Sequence, residues 1–133
     1  RRQRQMCIRD SYYRAKAYLD AGKVEGAMDD LKILAKDTRN IYGAEAKYKV
    51  AQIYFDAGQT GQAEKEVLDY IEVSTPHTYW LARSFVLLSD VYMKLGRNLD
   101  AKQYLLSLKQ NYQADDDIAG MIESRLNKLN AEN

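Results

Sequence analysis

"AQIYFDAGQTGQAEKEV", residues 51–67, has two near copies in the same chain: "AKAYLDAGKVEGAMDDL" at 15–31 and "SDVYMKLGRNLDAKQYL" at 89–105. Aligned, they put Ala15, Ala51 and Ser89 in one column and Tyr18, Tyr54 and Tyr92 in the next. Gly22, Gly58 and Gly96 follow, then Ala27, Ala63 and Ala101, then Leu31, Val67 and Leu105. Successive copies stand 36 and then 38 residues apart, the same in all five columns. Columns held in step at such a period mark a repeated supersecondary unit.

Each column has a physical task. A small residue and a Tyr three apart share one face of a helix. The Gly that follows suits a helix C-terminus, where a left-handed residue turns the chain. Thr60 and Asn98, just past that turn, are placed to cap the next helix through its free N–H groups. The Ala five residues beyond Gly falls on the inner face of the second helix. Opposite the small residue of the first, it lets two backbones cross at about 8–10 Å. The unit is an antiparallel helical hairpin.

The pattern predicts helices near 6–21, 24–37, 41–57, 60–73, 78–95, 98–112 and 116–130, with no strand signals. Pro76, the only proline, lies in "STPHT", between the second hairpin and the third. The fold class is all-α, a stack of hairpins in which each unit buries its neighbour's face. One domain spans residues 1–133, divided into repeats at 8–43, 44–81 and 82–113 with a terminal segment at 114–133. In that last segment Ile118, Met121, Ile122, Leu126 and Leu129 make one apolar side, as a capping helix requires.

Composition bounds the function. A chain of 133 residues with 46% apolar and 29% charged side chains is globular in character. Its net charge of +1 supplies no field to hold phosphate backbones, which argues against nucleic acid. Cys7 is the only cysteine, so an intrachain disulfide is impossible and a thiolate zinc site is disfavoured. No apolar run approaches the roughly 20 residues that cross a bilayer, so direct membrane insertion is not expected. The opening "RRQRQMCIRD", with neither initiator Met nor a signal-peptide core, reads as a piece excised from a longer chain. Met6, Cys7, Tyr12 and Tyr13 crowd the first helix with apolar surface, and further upstream repeats of the same chain would cover it.

The columns resemble the tetratricopeptide repeat. The third copy matches best, through Phe85, Leu88–Ser89, Tyr92, Leu95–Gly96, Ala101 and Leu105. The second matches through Val50–Ala51, Tyr54, Gly58, Ala63 and Val67, with Lys47 where the family has a bulky residue. The first has Ser11 and Arg14 where apolar residues belong, which leaves open whether its hairpin is complete. The likeness covers residues 8–113, and Pro76 matches the family's closing Pro one place late. Spacings above the family's usual period lengthen helix ends around "NIYG" and "HTYW", and resemble tetratricopeptide proteins of bacterial cell envelopes. The tail from Ala101 onward is similar to the C-terminal end of large multi-repeat proteins of that kind.

The resemblance implies a right-handed superhelical α-solenoid whose first helices line a concave groove. It implies partner contacts at Tyr12, Lys16 and Leu19, at Tyr48, Gln52 and Phe55, and at Val86, Asp90 and Met93. Charges beside them are Asp20, Asp56 and Lys94, with Arg9, Glu45 and Arg83 one turn earlier. Spacings of four and three keep each trio on one stripe. Aromatic and thioether groups among polar ones suit a protein or peptide partner. The packing alternative stands beside this for Tyr12, Tyr48 and Phe55, since aromatic residues on repeat helices commonly fill interrepeat space. Chaperone-tail readers of the family clamp a terminal carboxylate with Lys and Asn on these columns. Here Lys16 stands alone and Asp90 would repel a carboxylate, so that clamp is not expected.

No catalytic, metal or cofactor constellation competes. His77 reads as a solvated loop residue without a second His. "ADDDIAG" (114–120) reads as a helix cap that complements the dipole. Cys7 lacks the His context of a nucleophile and reads as a packed or incidental thiol. Trp80, in "YWLARSF", reads as packing or as a partner-facing anchor. The expected function is a noncatalytic protein-interaction module, and the alternative is a structural end-piece of a longer array.

Overall fold

The structure, a computed structural model, describes residues 7–73 and 75–131. The expectations resting on "RRQRQ" and Met6 lie outside the described residues. Among these the chain forms seven helices and no strand: α1 (Ile8–Asp20), α2 (Val24–Leu34), α3 (Ile41–Asp56), α4 (Thr60–Glu72), α5 (Thr78–Lys94), α6 (Asn98–Asn111) and α7 (Ile118–Ala131).

The repeated Gly residues do what the frame demands. Gly22, Gly58 and Gly96 have φ of +77°, +80° and +77°. After each, the next amide donates back to the Tyr carbonyl of the same repeat: Lys23 to Tyr18 at 2.7 Å, Gln59 to Tyr54 at 2.8 Å and Arg97 to Tyr92 at 2.7 Å. This bond pattern closes a helix through a left-handed residue. Tyr and Gly therefore recur together because one backbone motif ties them.

The helix starts differ from expectation. Thr60 and Asn98 are the first helical residues, and Gln59 and Arg97 hold the capping positions without a side-chain cap bond. The turn is one residue shorter than a Thr or Asn cap needs. Side-chain capping occurs where loops are longer. Asn40 accepts from the amides of Tyr42 at 2.8 Å and Gly43 at 3.4 Å. Asp116 accepts from the Ile118 amide at 2.9 Å, so α7 begins two residues later than the pattern predicts. α2 ends at Leu34, three residues early, where the Lys36 and Asp37 amides turn back to Ile33 and Leu34 in tighter steps.

Every helix packs on the next, and α1, α3, α5 and α7 also touch in succession. By contrast α2, α4 and α6 have no Cα atoms within 8 Å of one another. The odd-numbered helices thus make a continuous layer and the even-numbered ones a spaced layer, which curves the stack towards the odd side. The small-residue columns sit where the two layers meet: Ala15, Ala27, Ala63, Ala101 and Ser89 are fully buried and Ala51 nearly so. Leu31, Val67 and Leu105 are buried beside them. Burying such side chains contributes roughly 1.5–3 kcal/mol each before entropy is counted.

The first hairpin is complete. Arg14 on α1 donates to both carboxylate oxygens of Asp30 on α2, at 2.8 and 2.6 Å, and Asp30 is 4% exposed. An ion pair here replaces the apolar contact that Arg14 denies. Cys7 is exposed rather than packed. His77 is not free in solvent, since its Nε2 lies 3.0 Å from the Arg39 carbonyl oxygen. With Thr75 Oγ1 donating to the Thr38 carbonyl at 2.7 Å, this joins the α2–α3 and α4–α5 loops.

Candidate functional site

The stripe predicted on the odd helices divides into three regions. On α1, the Tyr12 hydroxyl donates to Glu45 Oε1 on α3 at 2.9 Å, and its ring lies 4.7 Å from that of Tyr42. Burial raises its hydroxyl pKa, and the bond to Glu45 adds to the rise. Lys16 is exposed with Nζ 5.4 Å from the Tyr12 ring, and Leu19 packs half-buried into the core of the first hairpin.

In the middle, Arg83 organises a chain of hydrogen bonds. It donates to the Tyr48 hydroxyl at 3.1 Å and to the Tyr79 hydroxyl at 2.9 Å. The Tyr48 hydroxyl donates to Gln52 Oε1 at 2.8 Å, and Gln52 Nε2 donates to Asp56 at 2.8 Å. Tyr79 donates to Asp117 at 2.8 Å. One guanidinium thus connects Asp56 of α3, by way of Gln52, with Asp117 in the turn before α7 through two phenols. Burial raises the pKa of both Tyr48 and Tyr79, while Arg83 pulls the other way. Trp80 packs within this group, 5.6 Å from the Tyr48 ring and 5.0 Å from that of Tyr79. Tyr48 is 7% exposed and Val86 3%, so both belong to the core and present little to a partner.

At the far end, Phe55, Asp90 and Met93 do come together. They line a cleft of about 650 Å³ with Lys94 of α5 and Ser124, Arg125 and Lys128 of α7. Phe55 and Met93 supply the apolar floor. Arg125 grips Asp90 through Nε at 2.8 Å and Nη2 at 3.0 Å, and its Nη1 reaches the Met121 carbonyl at 3.2 Å. Such a forked pair neutralises the carboxylate and fixes its plane. Asp90 is therefore no source of net repulsion. Lys94 and Lys128 enter no ion pair among the described residues, which leaves two ammonium groups beside an oily surface.

Ser124, Arg125 and Lys128 were not foreseen. The sequence carried a signal: Met121, Arg125 and Lys128 recur at offsets of four and three, a stripe at the edge of α7's buried face. The cleft's ionisable groups are thus an internally neutralised pair and two free cations. That chemistry suits recognition of an anionic, partly apolar chain. No protein-family model and no curated protein matches this chain. None of the described helices is long and apolar enough to cross a membrane.

Proposed function

We propose that this chain is a noncatalytic protein-interaction module built from tetratricopeptide-type repeats, and that the α3–α5–α7 cleft receives its partner. The single observation that carries the reading is the pairing, in one open cleft, of an apolar floor (Phe55, Met93) with two unpaired ammonium groups (Lys94, Lys128). A partner segment would set an apolar side chain on the floor and direct a carboxylate to the lysines. Its backbone would lie along the odd-numbered layer past Gln52 and Asp56. Tyr12, Lys16 and Leu19 would touch only a longer partner, while Arg83 and Tyr48 stiffen the surface from beneath.

Short synthetic peptides with a Leu or Phe beside Asp or Glu test this, with binding followed by amide chemical shifts. The expected result is saturable shifts on α3, α5 and α7 that the pair Phe55→Ala/Met93→Ala abolishes while the fold persists. Both side chains are only half-buried, which makes that pair a better choice than any change at buried Tyr48. Absence of binding, or binding unaffected by the pair, would overturn the proposal.

A further inference from the structure

The spaced even-numbered layer opens two clefts on the opposite side of the stack, one between α2 and α4 and one between α4 and α6. The repeat offsets make them the same place in successive units. Lys32, Ala35 and Lys36 of the first cleft correspond, 36 residues on, to Leu68, Ile71 and Glu72 of the second. Lys47 and Glu66 correspond, 38 residues on, to Phe85 and Tyr104. Equivalent backbone therefore carries opposite chemistry.

In the first cleft the floor is occupied from within. Lys47, 8% exposed, donates to Glu66 at 2.5 Å and to Asp69 at 2.6 Å, in a space of about 330 Å³. A buried ammonium held by two carboxylates offers a visitor little. In the second cleft Phe85 and Tyr104 stack with centroids 6.1 Å apart, and Leu68 and Ile71 form the wall of a space of about 730 Å³. Leu68 is 38% exposed. The rim has changed sign as well: Lys36 gives way to Glu72, which enters no ion pair among the described residues. Beside it, Asp69 is already held by Lys47 and Glu64 lies 3.8 Å from Arg97, so Glu72 is the rim carboxylate left without a cation, and Lys65 is the one basic residue in the lining.

We infer that the α4–α6 cleft is a second docking surface, separate from the α3–α5–α7 cleft, for a protein segment that places a bulky apolar side chain between basic residues. The aromatic floor receives the apolar group by burial, and unpaired Glu72, with the exposed carboxylate of Asp69 behind it, favours flanking Lys or Arg. An acidic segment meets repulsion here and attraction in the other cleft, so the two faces sort partners by charge.

The probe is a short peptide with a Leu-Phe-Leu centre and two lysines on each side, titrated into the isotope-labelled chain. A counterpart with glutamates in place of the lysines is the control. The expected shifts centre on Leu68, Ile71, Phe85 and Tyr104. The glutamate peptide and the exposed double variant Leu68→Lys/Glu72→Lys should each bind that surface at least about tenfold more weakly. Both altered positions lie at the solvent, so circular dichroism should show an unchanged helix content. No binding, equal binding of the two peptides, shifts centred on the α3–α5–α7 cleft, or concealment of Leu68 and Phe85 by self-association would overturn the inference. A failure in the acidic-peptide experiment leaves this result standing, because the two surfaces share no lining residue.

Discussion

Gly43 opens α3 directly over the end of the preceding turn, and a methyl group added to it would lie 1.9 Å from the Asp37 carbonyl oxygen and 2.6 Å from that of Leu34. Those neighbours are backbone and cannot swing aside. Gly58 has open space around it and needs only its positive φ. Gly43→Ala should therefore cost about 3 kcal/mol or more, against about 1 kcal/mol for Gly58→Ala, as measured by urea denaturation. Equal costs would contradict this geometry. Gly58 was legible in the sequence because its task is local to one turn, whereas Gly43 was not, since its obstacle is a loop carbonyl. Tyrosine titration supplies a second prediction. Burial pushes the hydroxyl of Tyr70 up to about 12, and burial and then Glu64 do the same for Tyr92. An unfolded chain releases these protons near pH 10, while the folded one keeps them. Stability should hold below about pH 10 and fall as pH climbs towards about 12. Tyr70→Phe should flatten part of that fall in the denaturation midpoint, and an identical alkaline profile would tell against the assignment.

The joints between helices were less legible than the helices themselves. Apolar periodicity placed all seven elements, because burial of one face is written in local spacing. The joints depend on polar side chains distant in sequence. Arg14 reads as a mismatch until Asp30, on the next helix, takes its fork. Asp90 reads as a repelling charge until Arg125 arrives from 35 residues away. At Tyr48 and Arg83 the stripe predicts contact with a partner, yet the structure spends both on the chain that joins α3, α5 and Asp117. The seating of α7 is open to a direct check. Arg125→Ala leaves Asp90 without its partner and removes one of the ties between α5 and α7. Amide exchange in α7 should quicken markedly while α3 and α4 keep their protection. Unaltered exchange in α7 would show that Ile118, Ile122, Leu126 and Leu129, all buried, hold it alone.

Among the described residues all the buried apolar side chains but Ala44 fall into two clusters. One holds six buried residues of α1, α2 and α3, and the other eighteen of α3 to α7, with Tyr54 packed against both. In a stack where each hairpin leans only on its neighbours, stability varies along the array and the smaller cluster opens first. That gradient was not readable from the columns, which look alike in all three copies. It arises from what surrounds them. Residue-resolved hydrogen exchange under native conditions is the most direct test of the stacked-hairpin account. It predicts fastest exchange in α1 and α2, slowest in α5, and intermediate values in the helices between and beyond. One uniform rate across all seven helices, or greatest protection in α1, would contradict it.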